Sequence, residues 1–259
     1  GLNGGRTDGA RLEDQRVRSL ALNGDHFWGK LKTNWSVQYA KASEERPNER
    51  YIAMRRRGIL VSQDIQDAQK PLLTDNQPLS AYDRIDELTE QFQLQFEKDL
   101  NAKLNFELPV SIIKEQKGSL YFGSRVRSKS KERANTFFEY EPVGANEDNF
   151  ANMGIMPLEN KTNNNFLAGK KYTAGQFVSK SYLGGLDFTN PSLFSQTDVP
   201  SEYLAGNYTA SENIYAGFIG LKQDFTNKFS ANIGVRVEHT KLKYTGNIVE
   251  DEETLKGQN

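Results

Sequence analysis

The sequence contains no cysteine, which excludes disulfide bonds, thiolate nucleophiles and Cys-ligated zinc. It also has no long apolar run. A membrane-spanning helix needs about 20 consecutive apolar residues, whereas the best run, at residues 214–221, has eight and includes two glycines. Barrel strands are not excluded, because they place apolar residues only at every second position.

The sequence also lacks an excess of either positive or negative charge. The 33 Lys and Arg residues nearly balance the 34 Asp and Glu residues, for a net charge of −1. No overall field therefore attracts nucleic acid or an anionic surface, and we expect no nucleic-acid partner. The low mean hydropathy of −0.71 is compatible with barrel strands, whose hydropathy signal is weak.

Residues that carry chemistry are scarce. The two histidines, His26 and His239, stand far apart in the sequence. We find no His-Glu-x-x-His, Gly-x-Ser-x-Gly, phosphate-binding glycine loop or EF-hand spacing. Carboxylates could supply a glycosidase pair, but any acidic loop does the same. We therefore expect no enzyme, no cofactor, no metal and no catalytic residue.

The clearest pattern present is alternation of apolar and polar residues at positions 229–238. Its apolar members are Phe229, Ala231, Ile233, Val235 and Val237. Alternation with period two indicates a strand with one apolar and one polar face. A strand rich in Tyr, Ile, Phe and Gly precedes it, and a short polar turn at residues 224–228 joins the two. These features predict a hairpin over residues 207–245.

Two further hairpins have the same design, at about residues 101–133 and 15–40. The strand at 15–23 alternates poorly, whereas the other three alternate clearly. Residues 82–100 fit two interpretations, since Ile85, Leu88, Phe92 and Phe96 have helical spacing while Phe92, Leu94 and Phe96 alternate as in a strand. We favour the strand.

Connections between the predicted hairpins are long, at residues 41–100 and 134–206. Loops beyond about 12–15 residues are unusual in compact soluble domains, whereas short periplasmic turns and long extracellular loops are typical of outer-membrane barrels. We predict an all-β fold: antiparallel up-and-down hairpins that form part of a transmembrane β-barrel wall. The whole chain, 1–259, is interpreted as one fragment of a barrel domain, with extracellular loops at about 41–100 and 134–206.

The alternation also sorts candidate site residues by face. Charge towards lipid costs about 2–4 kcal/mol near the bilayer midplane, so charged positions should face the lumen. The candidate lumen-facing residues are Arg125, Arg127, Lys129, Asn232, Arg236 and Glu238. The candidate lipid-facing residues are Phe229, Ile233, Val235, Val237, Leu120 and Phe122. The candidates for the aromatic girdles at the bilayer edges are Trp35, Tyr39, Phe122, Tyr215 and Phe218.

Residues 208–247 resemble a barrel hairpin of TonB-dependent outer-membrane receptors. That family has an aromatic-rich strand around Glu-x-Ile-Tyr-Ala, which Glu212, Ile214, Tyr215 and Ala216 match here. A strand reading Gly-x-Arg-x-Glu-x-Thr follows, matched by Gly234, Arg236, Glu238 and Thr240. Residues 31–50 and 119–133 show weaker similarity to other family segments, so the resemblance covers about a third of the chain.

The resemblance implies a 22-stranded barrel with a plugged lumen that imports a scarce nutrient, either a siderophore or an oligosaccharide. The implied partners are outer-membrane lipid, an extracellular small-molecule or oligosaccharide ligand, a plug domain and the TonB energy-coupling complex. No plug domain is recognisable in this sequence, and we interpret the chain as an internal segment. The alternative is a soluble or surface-tethered carbohydrate-binding module, which would bury Phe229, Ile233, Val235 and Val237 in its own core.

Overall fold

The computed structural model describes residues 2–3, 12–69, 71–75, 77–162 and 175–249. Within these ranges, six long strands form one sheet. They are β1 (Asp14–Trp28), β2 (Leu31–Arg55), β3 (Arg84–Pro109), β4 (Gly118–Pro142), β5 (Tyr208–Thr226) and β6 (Phe229–Gly246). No helix in these ranges has the length and apolar character needed to cross a membrane.

Each long strand pairs antiparallel with the next one in the chain, so the sheet order is the sequence order. Two-residue turns join β1 to β2 and β5 to β6, and an eight-residue connection joins β3 to β4. The turn between β1 and β2 has only two residues, and its Gly29 has a positive φ of 64°, which glycine adopts without a steric penalty. The predicted all-β fold of up-and-down hairpins is confirmed.

The strands are longer than the alternation predicted. The hairpin predicted at 207–245 has the right limits, but β2 continues to Arg55, β3 begins at Arg84 and β4 continues to Pro142. The predicted loops at 41–100 and 134–206 are therefore too long at three of their four ends. Alternation of polarity requires one apolar and one polar environment, and residues 41–50 are polar on both faces of the extended strand. The strand interpretation of residues 82–100 is correct.

A β-bulge interrupts the pairing of β2 with β3 between Arg46 and Glu49. Pro47 lies in this bulge, where its missing N–H does not break a ladder hydrogen bond. The extra residue shifts the alternation of β2, so that Arg50 and Ile52 lie on the face that odd-numbered residues occupy before the bulge. The bulge thus determines which β2 residues reach the upper core.

The described parts of the connections above the sheet carry its core. We call residues 144–206 the cap, of which 144–162 and 175–206 are described. Its elements are 3₁₀ helices at Gly144–Phe150, Met153–Ile155 and Leu204–Gly206, α-helices at Lys180–Gly185 and Pro200–Tyr203, and strands at Leu158–Asn160, Gln176–Val178 and Phe194–Asp198. The last strand pairs with the end of β4. The other small elements are a 3₁₀ helix at Leu79–Ala81, a pair of strands at Ser62–Asp64 and Leu72–Thr74, and a strand at Leu2–Asn3 that pairs with β2.

The buried core lies where the cap packs against the ends of β2, β3 and β4. From the sheet it contains Ile52, Leu88 and Tyr140. The cap contributes Phe150, Met156, Val178, Leu183, Phe188 and Phe194. Leu88 lies an even number of positions from Phe106 on β3, and Tyr140 lies an even number of positions from Phe122 on β4. Because β3 and β4 pair without a register shift, all four side chains are on the same face. The cap therefore covers the same face of the sheet that is bare farther down.

Candidate functional site

Direct partners in antiparallel strands point to the same face of a sheet, so the register assigns every side chain to a face. Leu120, Leu221 and Ile233 form one row of direct partners, and Phe122, Ile219 and Val235 form the next. Val237 and Phe229 share this face by alternation along β6. All six predicted lipid-facing residues thus lie together on one face, which we call the apolar face.

The outer hairpin leaves this face uncovered. Phe229, Ile233, Val235 and Val237 are 61%, 74%, 67% and 70% exposed. On the central strands the side chains lie closer together, and Phe106 stacks on Phe122 with ring centroids 5.0 Å apart. Soluble monomers rarely expose apolar patches larger than a few hundred Å². A contiguous bare face of this kind therefore needs another apolar phase to cover it.

The six predicted lumen-facing residues lie together on the opposite face, which we call the polar face. Here β4 and β3 form a diagonal charge ladder. Arg127 donates to Asp99 over 2.6 Å, Lys129 lies 2.9 Å from Glu97, and Arg125 donates to Asn101 over 3.0 Å. Each β4 cation thus reaches the β3 residue one row above its direct partner.

The ladder continues towards β5 and β6. The carboxylate of Glu212 lies 4.0 Å from Arg127, and Arg236 donates to Glu238 over 2.6 Å. These pairs are only partly buried, and such pairs contribute at most about 1 kcal/mol each. Their main effect is to leave the polar face wet and nearly neutral.

Tyr121 lies on the polar face across two glycines. A Cβ at Gly220 would collide with the Tyr121 ring, and one at Gly234 would lie 3.1 Å from its hydroxyl. The absence of side chains lets Tyr121 span two strands and donate to Asn232. The glycine of the Gly-x-Arg pattern thus has a physical role here, since it makes room for an aromatic ring.

Sequence reasoning missed some contributors and misplaced one. Asp99 and Glu97 were not selected, although each is an acidic residue in the alternating β3 pattern. Phe218 was predicted to lie in an aromatic girdle with Trp35, Tyr39, Phe122 and Tyr215, but its direct partner is Gly123, so it lies on the polar face. Its ring packs near Tyr121, with centroids 6.1 Å apart. The girdle prediction for Phe218 is wrong because its position has the parity of the polar face.

At the strand tops, a buried ion pair joins the cap to the sheet. Arg50 donates to Glu90 over 2.7 Å, with side chains 12% and 7% exposed. A second nitrogen of Arg50 donates to three cap carbonyls, those of Leu183, Gly184 and Leu186, at 3.2, 3.1 and 2.7 Å. These carbonyls end the helix Lys180–Gly185, where a cation is favourable. Arg50 therefore connects β2, β3 and the cap.

Aromatic packing completes this cluster. The Arg50 guanidinium lies 4.5 Å from the centre of the Phe188 ring, and Phe188 stacks on Tyr140 with centroids 4.0 Å apart. Tyr140 donates to Glu90 over 3.3 Å. Burial, together with the nearby Glu90 carboxylate, raises the pKa of Tyr140 above its usual value. We call Arg50, Glu90, Tyr140 and Phe188 the clasp. Their contacts hold the cap against the sheet, which indicates a structural role rather than a reactive site.

No cluster of three or more potential metal ligands occurs among the residues that the structure describes. A sheet with consecutive antiparallel hairpins, one bare apolar face and one charged face defines the wall of a transmembrane β-barrel. The family comparison agrees. The model of the outer membrane protein β-barrel family matches residues 94–256, more than half of the chain, and the chain belongs to this family. It is a protein of the bacterial outer membrane.

Comparison with curated proteins gives no match, and comparison with solved structures gives none either. The separation of the twelve candidate residues into two faces is observed. That the apolar face meets lipid and the polar face meets the lumen stays a prediction, as does the extracellular position of the long connections.

Proposed function

We propose that this chain supplies wall and outer loops to a TonB-dependent receptor that imports a scarce nutrient, either a siderophore or an oligosaccharide. The observation that carries the proposal is the β5–β6 hairpin. Its residues match both strand patterns of that family, and its pairing places Glu212, Arg236 and Glu238 on one polar face. The family assignment to outer-membrane barrels supports the coarser part of this proposal.

The polar face is the proposed lumen wall. A plugged barrel needs a wall that is polar and hydrated, because the plug must move relative to it without leaving charges unpaired. The ladder of Arg125, Arg127 and Lys129 with its β3 partners meets this need, since each cation already has a partner within the wall. We propose that this surface contacts the plug, and lining of the substrate path is the alternative role for the same residues.

The cap and the strand extensions form the proposed outer side. In this proposal ligand binds from outside to the long connections. A plug rearrangement, driven by the energy-coupling complex of the inner membrane, then opens the path. In this proposal the residues of this chain bind the ligand and enclose its path, and no catalytic step occurs.

The alternative of a soluble carbohydrate-binding module made a contrary prediction. It required Phe229, Ile233, Val235 and Val237 to be buried in a core of their own. All four are more than half exposed, which contradicts that prediction. We therefore do not pursue the module.

Uptake by living cells tests the proposal. We would delete the gene and measure accumulation of radiolabelled ferric siderophores and of labelled oligosaccharides, with the full-length gene restored on a plasmid as control. A receptor of this kind loses uptake of at least one cargo on deletion. It loses the same uptake when the energy-coupling protein is deleted and the barrel is left intact.

Two outcomes would contradict the proposal. Uptake that depends on the barrel but continues without the energy-coupling protein would indicate a passive channel. Unchanged uptake of every cargo in both classes would remove the nutrient-import role. In the strain that lacks the energy-coupling protein, surface labelling of the barrel is the control that the barrel is still present.

A further inference from the structure

Lys241 of β6 lies on the apolar face, above its apolar part. One row farther from that part lie four more cations: Arg18, Lys41, Lys98 and Lys243. They come from four different strands and are far apart in sequence. The register brings them into one line, because Arg18 pairs with Lys41 and Lys41 pairs with Lys98. Lys98 pairs with Ser130, Ser130 with Ser211, and Ser211 with Lys243. We call these six residues the basic row.

The basic row carries no compensating charge. On the polar face, Arg127 has the carboxylate partner Asp99 and Lys129 has Glu97. None of the four cations in the row makes an ion pair within the part of the chain that the structure describes, and all four are exposed. Like charges directly opposite each other in neighbouring strands are unfavourable. Three such cations on adjacent strands therefore call for an external anion.

The position of the row points to the source of that anion. Below it on β3, Leu100, Ala102, Leu104, Phe106 and Leu108 form an apolar stretch of nine residues, the length of strand that crosses a bilayer. Lys98 is the next residue on this face. The row lies on the side of the long connections, which in outer-membrane barrels is the extracellular side. It thus stands at the level of the headgroups of the outer leaflet.

The surface around the row can hold a headgroup. A cleft of about 260 Å³ lies beside it, lined by residues that include Phe96, Ser130, Ser211 and Lys243. The serine hydroxyls can donate to phosphate oxygens. Lys41 and Lys98 approach the Phe96 ring at 5.9 and 5.4 Å, which holds their ammonium groups near the cleft. Glu132 also lines the cleft, one row farther from the apolar stretch, and makes no ion pair with the row.

We propose that the basic row is a binding site for the phosphate groups of outer-leaflet lipids, which surround the barrel and neutralise its four cations. The apolar stretch below holds the acyl chains, and the row holds the headgroup phosphates. The proposal depends on the apolar face being the lipid face, and is independent of which nutrient the barrel imports.

Lipid selectivity can be measured directly. The full-length protein would be reconstituted in phosphatidylcholine bilayers with trace spin-labelled phosphatidic acid or spin-labelled phosphatidylcholine. The fraction of immobilised label gives the relative association constant of each lipid. Each basic side chain near a charged lipid surface can contribute up to about fivefold. We therefore expect the wild type to prefer phosphatidic acid by at least about threefold.

The test variant carries Arg18→Gln, Lys41→Gln, Lys98→Gln and Lys243→Gln, and we expect it to lose most of the wild-type preference, with Lys241 of the next row left in place. The matched control carries Lys30→Gln, Lys114→Gln, Lys117→Gln and Lys228→Gln, which remove the same charge from the short turns. The control variant should keep the wild-type preference. If the fourfold variant does not insert, the single variants Lys98→Gln and Lys243→Gln replace it, and each should lower the preference measurably.

Two results would overturn the proposal. The first is a lipid preference that does not change in the row variant, or that falls equally in the turn variant. The second would show that the row binds free phosphate. Inorganic phosphate and chloride at equal ionic strength should weaken the preference equally, and stronger displacement by phosphate would show that the row binds the free anion rather than lipid.

Discussion

The two apolar regions on one face of the sheet are covered in different ways. At the strand tops, Ile52 and Leu88 are 3% and 2% exposed because the cap packs over them. Lower on the same face, Ile233 and Val237 are 74% and 70% exposed. Both regions place apolar side chains on paired strands, although the upper region also contains the charged pair of Arg50 and Glu90.

The two regions fit different surroundings. Apolar surface in water costs about 25 cal/mol per Å², and above the membrane only the chain itself can provide cover. Within the membrane the acyl chains do so. The basic row lies between the two regions.

The largest predicted effect is on the clasp at the strand tops. Arg50→Ala leaves the buried Glu90 carboxylate without its cation, and loss of one partner of a buried pair costs about 3–5 kcal/mol. Hydrogen exchange of the cap peptide at residues 176–206, followed by mass spectrometry, should accelerate more than a hundredfold. The double variant Arg50→Met, Glu90→Leu should exchange more slowly than Arg50→Ala, and equal rates would contradict the charge explanation.

Truncation of one leucine in the cap core and one on the bare face compares how the two apolar regions are covered. Leu183 is fully buried in the cap core, at 0% exposure, whereas Leu104 on the bare face is 37% exposed. Leu183→Ala should destabilise the cap by about 2–5 kcal/mol, because it leaves a cavity. Leu104→Ala should cost much less in a bilayer, because lipid fills the space. Urea unfolding in lipid vesicles for Leu104→Ala, and hydrogen exchange for Leu183→Ala, give the two values. Similar costs would show that the bare face is packed against protein.

A charge on the bare face gives the next effect. Ile233→Lys should cost about 2–4 kcal/mol if this side chain lies near the bilayer midplane, and the amount of heat-resistant folded barrel in outer membranes should fall. Asn232→Lys is the control, since its side chain lies on the polar face one residue away. Equal losses in the two variants would contradict the assignment of the faces.

The smallest effect concerns Tyr140. Tyr140→Phe removes a hydrogen bond to Glu90 and should loosen the cap by about 0.5–1.5 kcal/mol at neutral pH. Because the folded-state pKa of Tyr140 is raised above its unfolded value, its neutral form stabilises the cap at pH below about 10. That contribution is lost as the pH rises further. Cap exchange measured from pH 9 to 11, corrected for intrinsic rates, should therefore increase less in Tyr140→Phe than in the wild type.

Much of the sheet could be predicted because local alternation carries the information. The β5–β6 hairpin has the limits that its pattern predicted, and the twelve candidate residues separate into two faces because parity along a strand is a local property. The tops of β2, β3 and β4 were missed, since a strand that leaves the bilayer no longer needs one apolar face. Phe218 was misplaced because its aromatic character was weighed and its parity, opposite to that of Tyr215, was not.

The order of residues along each strand thus specifies the strand chemistry, the period of two and the class of outer-membrane wall. The contacts between residues on different strands depend on how the strands pair. The bulge at Pro47 turns Arg50 towards Glu90, 40 positions away, and the cap then closes over both. The basic row has the same origin: positions 18, 41, 98 and 243 are unrelated in the sequence, and a net charge of −1 conceals them. Hydrogen-bond register is a long-range property, and it alone places these four cations in one line.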